Sequence, residues 1–390
     1  MAPAPGIISE FTREVDAAMA RAALAKTSLR DFCKYRYLQE RRLDMIRWGY
    51  HLDYLCEVLE AARRREILRL IVCMPPRNLK TETLQSFAAY TIGRDDHPRS
   101  SFVCASYSAG LSYESSRKTR ELVQSGWFQD LFGGDYRYVQ ETAEGQGAGG
   151  WRWNKDGIVE LKKSEVKQWV TERGAGYVAA GVGGERTGKG GDFLIGDDLL
   201  KPIDANSETM RDKTCQWLGE TFASRLNNPE SGAIIHIAQR LHERDPLGWL
   251  MDKMQDGDAD QYTVVRIPLI AEKTTIYEVP CVEKPDAPHY QYVRKAGEVL
   301  DPDRYPDKVV RALKKQMGAN FDGQYQQRPT KMEGDMLRPS RIRRVPKSPQ
   351  RLVEELGLRP NFCIDGAVTE SQTQKDDPDW SVILVAAQDR

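Results

Sequence analysis

The sequence predicts an α/β fold built on a mostly parallel sheet flanked by helices, and three observations predict it. From about residue 67 onward, short apolar runs alternate with segments of helical spacing, the pattern of strands joined by crossover helices. One such strand-to-helix turn carries a Lys-Thr pair, Lys80 and Thr81. A later apolar run, "FLIGDD", ends in two carboxylates, Asp197 and Asp198.

Composition sets the frame. The chain has 390 residues, of which 40% are hydrophobic, enough for one large or two smaller domains. Lys plus Arg and Asp plus Glu number 57 each, so the formal charge is zero. A nucleic-acid surface would therefore have to be a local patch. The densest basic stretch is "RPSRIRRVPKSPQR", from Arg338 to Arg351, and its prolines give it the look of a linker. Seven cysteines include no C-x-x-C pair and read as reduced, mostly buried thiols. No stretch has the length and apolarity of a membrane span, and the N-terminus lacks the pattern of a secretion signal.

The elements follow in order. The first seventy residues carry apolar positions three and four apart and read as helices. "ILRLIVCMPP" reads as a buried strand stopped by two prolines, "TETLQSFAAYTIG" as a helix, "SSFVCASYS" as a second strand, and "AGLSYESSRKTRELVQ" as a helix again. From Gly133 to Glu172 the pattern suggests short antiparallel strands. "DFLIGDD" is a strand, "ETMRDKTCQWLGETFASRL" a long amphipathic helix, and "SGAIIHIAQR" and "YTVVRIPLI" two further strands. "EKTTIYEVPCVEKPDAPHYQYVRKAGE" reads as a hairpin excursion and "DKVVRALKKQMGANFDGQYQQRP" as helical. "NFCIDGAV" and "DWSVILVAAQD" are strand-like.

The turn Met74–Glu82, "MPPRNLKTE", stands where phosphate binds in strand–loop–helix nucleotide folds, because a helix N-terminus offers free N–H groups and the positive end of a dipole. Lys80 has the reach for β and γ phosphates, and Thr81 can place a hydroxyl on Mg²⁺. Leu79 stands where G-x-x-x-x-G-K-[ST] requires glycine, and a left-handed backbone costs leucine more than glycine. Read locally, the segment is either a phosphate loop or an ordinary strand-to-helix turn. "GGERTGK", Gly183–Lys189, fits the glycine spacing better but is followed by a strand rather than a helix, so it reads as a loop from which Arg186 and Lys189 could touch phosphate. The double acid suits a strand that holds Mg²⁺ through Asp197 and activates water through Asp198. Gln239, ending a later strand, is placed to sense the γ-phosphate.

These residues, with "CASYSA", "GEVLDPDRYP", "FDGQYQQRP" and "DDPDWSVILV", resemble the large terminase subunit of tailed phages and gene transfer agents, over nearly the whole chain and in order. The resemblance implies an additional-strand (ASCE-type) P-loop NTPase followed by the incomplete start of an RNase H-like nuclease. Its domains would be an N-terminal helical region (1–66), the ATPase (67–334), a basic linker (335–360) and the nuclease start (361–390). It implies ATP and Mg²⁺ as cofactors, with Arg77, Asn78, Lys80 and Thr81 on the nucleotide, Thr81 and Asp197 on the metal, and Asp198 as catalytic acid. Arg77 would stabilise transition-state charge, Gln239 would couple hydrolysis to movement, and Arg117 and Arg120 are candidates for an arginine finger. Asp365 and Asp379 would serve a nuclease using Mg²⁺ or Mn²⁺, and two strands are too few to complete that domain, so the chain alone is expected to lack nuclease activity. The implied partners are double-stranded DNA, a portal protein, a small terminase subunit and further copies in a ring on the capsid, with no membrane, in the host cytoplasm. A helicase-like remodeller would need a second lobe that the residues after Gly334 do not supply. A non-hydrolysing DNA-binding remnant is the other alternative.

Overall fold

The computed structural model describes residues 5–94, 99–132, 135–139, 150–154, 161–184, 188–279, 290–329, 359–365 and 382–388. The chain divides into two compact units, Met1–Lys331 and Met332–Arg390.

The first unit opens with three helices, α1 (Pro5–Thr27), α2 (Leu29–Gln39) and α3 (Tyr50–Arg63). Ser28 separates the first two, because its extended backbone and a side chain accepting from the Asp31 N–H make it the N-cap of α2. Then come β1 (Arg69–Cys73), α4 (Lys80–Gly93), β2 (Ser101–Ser106), α5 (Ala109–Gln124) and α6 (Gly126–Phe132). A separate antiparallel pair, β3 (Asp135–Val139) and β4 (Gly150–Asn154), precedes β5 (Leu161–Ser164), β6 (Gln168–Thr171), β7 (Gly176–Gly181) and β8 (Phe193–Asp197). The unit continues with α7 (Glu208–Gln216), β9 (Ala233–Ala238), α8 (Pro246–Asp256) and β10 (Thr263–Arg266). It closes with the hairpin β11 (Thr275–Val279) and β12 (Tyr290–Arg294), then α9 (Asp307–Met317) and α10 (Asn320–Gln324).

Eight strands form one sheet in the order β10-β1-β9-β8-β2-β7-β6-β5. The six from β10 to β7 are parallel, and β6 and β5 continue antiparallel at one edge. The strand β9 lies between β1, which leads into the Lys-Thr turn, and β8, which ends in the double acid. That inserted strand is the defining feature of the additional-strand P-loop fold, and the sheet has it.

Alternation along each strand feeds two cores, as a period of two requires. Leu70 and Val72 of β1, Phe193 and Ile195 of β8, and Ile235 and Ile237 of β9 join the helices α2 to α4 on one face. Ile71, Cys73, Leu194 and Ile234 join Leu218, Phe222 and α8 on the other. Phe102 and Phe193 stack across neighbouring strands at 4.9 Å within the first core, with Phe87 of α4 set edge-on to both.

One expected element differs. The long helix foreseen from Glu208 onward is α-helical only to Gln216, then becomes a π-helical turn, Trp217–Phe222, and a short 3-10 turn. A Cβ on Gly219 would stand 3.0 Å from the Trp249 ring, so the widened turn and the missing side chain together admit the indole of α8. Periodicity alone cannot reveal such an insertion. The second unit contains β13 (Arg359–Asp365) and β14 (Val382–Gln388), paired antiparallel with Asp365 opposite Val382. Asp379 and Arg186 lie outside the described residues.

Candidate functional site

The site is built where the C-terminal ends of β1, β8 and β9 meet the N-terminus of α4. After Cys73 the chain turns through Met74–Leu79, and Met74 N–H donates to Ala238 O at 3.1 Å, which fixes the start of the loop to the end of β9. Pro75 and Pro76 bring no N–H. Arg77 (φ 60°) and Leu79 (φ 56°, ψ 19°) both adopt the left-handed region. Leu79 therefore takes up the conformation a glycine would have supplied, at a cost of about 1–2 kcal/mol for an L-residue. Its side chain packs against the core on the α4 side, which helps to offset that cost.

Leu79 occupies the N-cap position of α4 without a side-chain cap. The first N–H groups of the helix are consequently left to an external acceptor, the arrangement that suits a phosphate. Lys80 is buried and spans the loop, donating from Nζ to Met74 O at 3.2 Å and Pro75 O at 3.1 Å. Asn78 lines the cleft and also braces the loop: its amide donates to Pro75 O at 3.3 Å and Pro76 O at 3.0 Å. The Arg77 side chain is exposed at the rim of the cleft.

The acids meet this loop directly. Thr81 Oγ1 donates to Asp197 Oδ2 at 2.6 Å, while Asp197 Oδ1 is out of water and has no hydrogen-bond partner among the described residues. Burial, then the charge of Asp198, pushes the Asp197 carboxyl up to about 7, against the opposing pull of the Thr81 hydroxyl and the Lys80 ammonium. Asp198 also has a left-handed backbone (φ 47°), and its Oδ1 accepts from Gln239 N–H at 3.2 Å. Gln239 follows β9, so it stands between the phosphate loop and the double acid, and its buried Oε1 has no partner among the described residues. Among the described residues no cluster of three His, Cys, Asp or Glu side chains could hold a metal by itself. A hard cation at Asp197 and Thr81 would have to complete its oxygen shell from phosphate and water, as Mg²⁺ does in nucleotide sites. The orphaned Asp197 oxygen beside a hydroxyl suits that role.

Residues that sequence reading left without a role complete the cleft. It encloses about 750 Å³, lined on one side by the loop, Lys80, Thr81 and Asp198. Its other walls come from Arg42, Met45, Ile46, Arg47 and His51 of the N-terminal helical region, and from Asp301, Asp303 and Arg304. Two contacts join these walls: Arg47 pairs with Asp303, and Arg304 donates to Arg77 O. The string "GEVLDPDRYP" was visible in the sequence, but nothing in its spacing placed it above a loop more than 200 residues away.

Beyond Gln239, the connecting loop is fixed by a buried ion pair. Arg240 Nε lies 2.9 Å from both Asp245 oxygens, and Arg240 Nη2 donates to His242 O and Glu243 O. Asp245 also caps α8 through Gly248 N–H at 2.8 Å. Gly248 is needed there, since a Cβ would stand 1.8 Å from Glu243 O. The "QYQQRP" string ends on the same structure: Gln327 Oε1 accepts from Arg240 N–H, and Gln326 makes both amide bonds to the Ile270 backbone.

Other singled-out residues lie elsewhere. Lys189 donates to Gln168 on β6 and does not line the cleft. Arg117 is exposed on α5 and pairs with Glu121, and Arg120 is on the same helix.

No protein-family model matches the chain, and neither does any protein of curated function. Solved structures similar to it are phage large terminases. The HK97 bacteriophage large terminase is 13% identical over 57% of this chain and 40% of its own, with a TM-score of 0.36. The large terminase of a thermophilic bacteriophage, in complex with ADP, is 11% identical over 81% and 61%, at 0.39. The ATPase domain of the Thermus phage P74-26 large terminase is 10% identical over 70% and 93%, at 0.36. The chain thus spans less than half the length of the HK97 protein it matches. The nucleotide-fold assignment rests on the strand order and the loop geometry.

No described helix is long and apolar enough to cross a membrane.

Proposed function

We propose that this chain is the ATP-hydrolysing motor of a DNA-packaging terminase. The observation that carries the reading is the convergence, at the start of α4, of an uncapped helix N-terminus, the Lys80 ammonium, the Thr81 hydroxyl and the Asp197 carboxylate, which takes that hydroxyl on one oxygen and has the other unpartnered among the described residues. ATP would lie with its phosphates on the first turn of α4 and its base between the N-terminal helical region and the Asp301–Arg304 segment.

Thr81 and Asp197 would hold Mg²⁺, which would supply positive charge against the phosphates. Lys80 would exchange its two loop carbonyls for β and γ oxygens. Asp198 would take the proton of the attacking water, with its carboxylate oriented by Gln239 N–H. The free Gln239 oxygen would receive that water or register loss of the γ-phosphate. Its backbone leads directly into the Arg240–Asp245 lock, so a change at the phosphate would reach α8 and the Gln327 turn through hydrogen bonds. Arg77, exposed at the rim, would swing onto developing charge.

Double-stranded DNA would be the moved substrate, gripped mainly through phosphate and therefore in a salt-dependent way. A ring of identical subunits, a portal and a small terminase subunit belong to the same proposal, as do Arg117 and Arg120 as fingers toward a neighbour. Asp365 and Asp379 would belong to a nuclease using Mg²⁺ or Mn²⁺ in the second unit. The decisive measurement is DNA-stimulated ATPase activity of the wild-type chain and of Lys80→Ala. The variant is expected to lose at least about 100-fold, given what one preorganised charge on a transferring phosphoryl group contributes. Normal hydrolysis by Lys80→Ala would overturn the site.

A further inference from the structure

A second cavity, of about 410 Å³, lies against the nucleotide cleft and shares two of its walls, Thr81 and Asp198. It opens between α4 and α5, over the ends of β2 and β8, with Ser106, Ser115, Leu111 and Lys118 among its lining residues. Asp197 and Gln239 line this cavity and not the nucleotide cleft. Resting on the ATPase reading above, we infer that this cavity binds inorganic phosphate after hydrolysis and is the route by which it leaves.

Three features support this. The first is position. The side of the nucleotide cleft formed by the N-terminal region and the Asp301–Arg304 segment is tied by the Arg47–Asp303 pair and the Arg304 contact to the loop. ADP seated under those ties blocks a cleaved phosphate from leaving on that side. The wall that remains is the one the two cavities share, Thr81 and Asp198, with Asp197 on its far side.

The second is the donor supply. Gln85, one helical turn beyond Thr81, is 3% exposed and lines the cavity, and its Oε1 has no partner among the described residues while Nε2 contacts Ser115 Oγ at 3.3 Å. Amide oxygen and nitrogen are interchangeable by rotation. Turning the amide over lets the Ser115 hydroxyl donate to Oε1 and presents a free NH₂ to the cavity. The same rotation of Gln239 puts its NH₂ group, a donor, where the orphaned oxygen stands. A phosphate that brings acceptors is thus the kind of occupant that relieves both buried amides.

The third is charge. Lys118 stands at the exposed end, 45% accessible, and pairs across one turn with Glu114 at 2.8 Å. Such exposed pairs exchange partners at little cost, about 0.3–0.5 kcal/mol for this spacing, so its ammonium can leave Glu114, which also lines the cavity, to meet a dianion at the mouth, while the three carboxylates Glu114, Asp197 and Asp198 favour passage over tight retention.

The test uses the full chain with Mg²⁺ and ATP, timing the chemical step by quench-flow and free phosphate by a fluorescent phosphate sensor. Leu111→Trp narrows the mouth from an exposed position and is expected to slow phosphate release about tenfold while the chemical burst is unchanged. Lys118→Glu reverses the charge that the exit would set against the product. It is expected to raise the inhibition constant of added inorganic phosphate about tenfold, the effect of one charge-assisted hydrogen bond, and to leave inhibition by ADP alone. Hydrolysis with release and phosphate inhibition unchanged in both variants overturns the exit and spares the ATPase reading. A wild-type chain that hydrolyses no ATP overturns that reading and the exit with it.

Discussion

Asp197 offers a pH test of the metal assignment. Its carboxyl is held near 7 by burial and by Asp198. A divalent cation takes only the ionised form, so binding must expel the proton. With a midpoint at about 7, roughly nine in ten copies are protonated at pH 6 and one in ten at pH 8. The affinity for Mg²⁺ with nucleotide should therefore fall about tenfold from pH 8 to pH 6, equal to about 1.4 kcal/mol. Isothermal titration in two buffers of different ionisation enthalpy should find close to one proton released at pH 6 and about half a proton at pH 7. Asp197→Asn, measured alongside, accounts for protons that come from the nucleotide itself. Asp198→Asn removes the second cause of the shift and should move the whole dependence to lower pH. Stability gives the opposite sign. The folded state holds this proton more tightly than the unfolded chain, where Asp titrates near 3.8. The group's contribution is thus fully present below that value and is lost as pH rises toward 7, by up to about 1.4 kcal/mol per unit. Asp197→Asn should accordingly be more stable than wild type at pH 8 while losing the metal. Equal affinity at pH 6 and pH 8, with no proton released beyond that of the asparagine variant, would refute the assignment.

Other perturbations separate the parts of the site. Arg240→Ala leaves Asp245 buried and unpaired and should cost about 3–5 kcal/mol in urea unfolding. Asp303→Ala removes one exposed partner of Arg47, so unfolding should change by no more than about 1 kcal/mol, whereas a fluorescent ATP analogue should dissociate several-fold faster in stopped flow if this pair closes the cleft. Phe193→Ala empties a fully buried site between Phe87 and Phe102 and should cost about 3–5 kcal/mol; a loss below about 1 kcal/mol would show that the core recloses around it.

Leu79 shows where local sequence rules mislead. The motif rule asks for glycine because the backbone must be left-handed, and the structure supplies that backbone with leucine, anchored by core packing on one side and by the Asn78 brace beside it. A motif records the cheapest residue for a conformation, while tertiary contacts can hold a costlier one. Asn78, placed on the nucleotide by the resemblance, lines the cleft and has a second task that no motif shows, since both its amide contacts close the loop on itself.

The sequence by itself determined the parallel sheet, its two-sided burial and the order of Lys80-Thr81, Asp197-Asp198 and Gln239, because apolar period and turn chemistry are local properties. Strand order is not local. The resemblance implied an inserted strand, but only the tertiary structure decided that it is β9, between β1 and β8, which sets Gln239 among the phosphate-loop lysine and the two acids. It alone brought Ile46, His51 and Arg304 to the same cleft, and only it decided that Asp197 has one oxygen on Thr81 and the other left without a partner among the described residues. Those relations depend on which surfaces pack together across the chain, and they are what give the residues their chemistry.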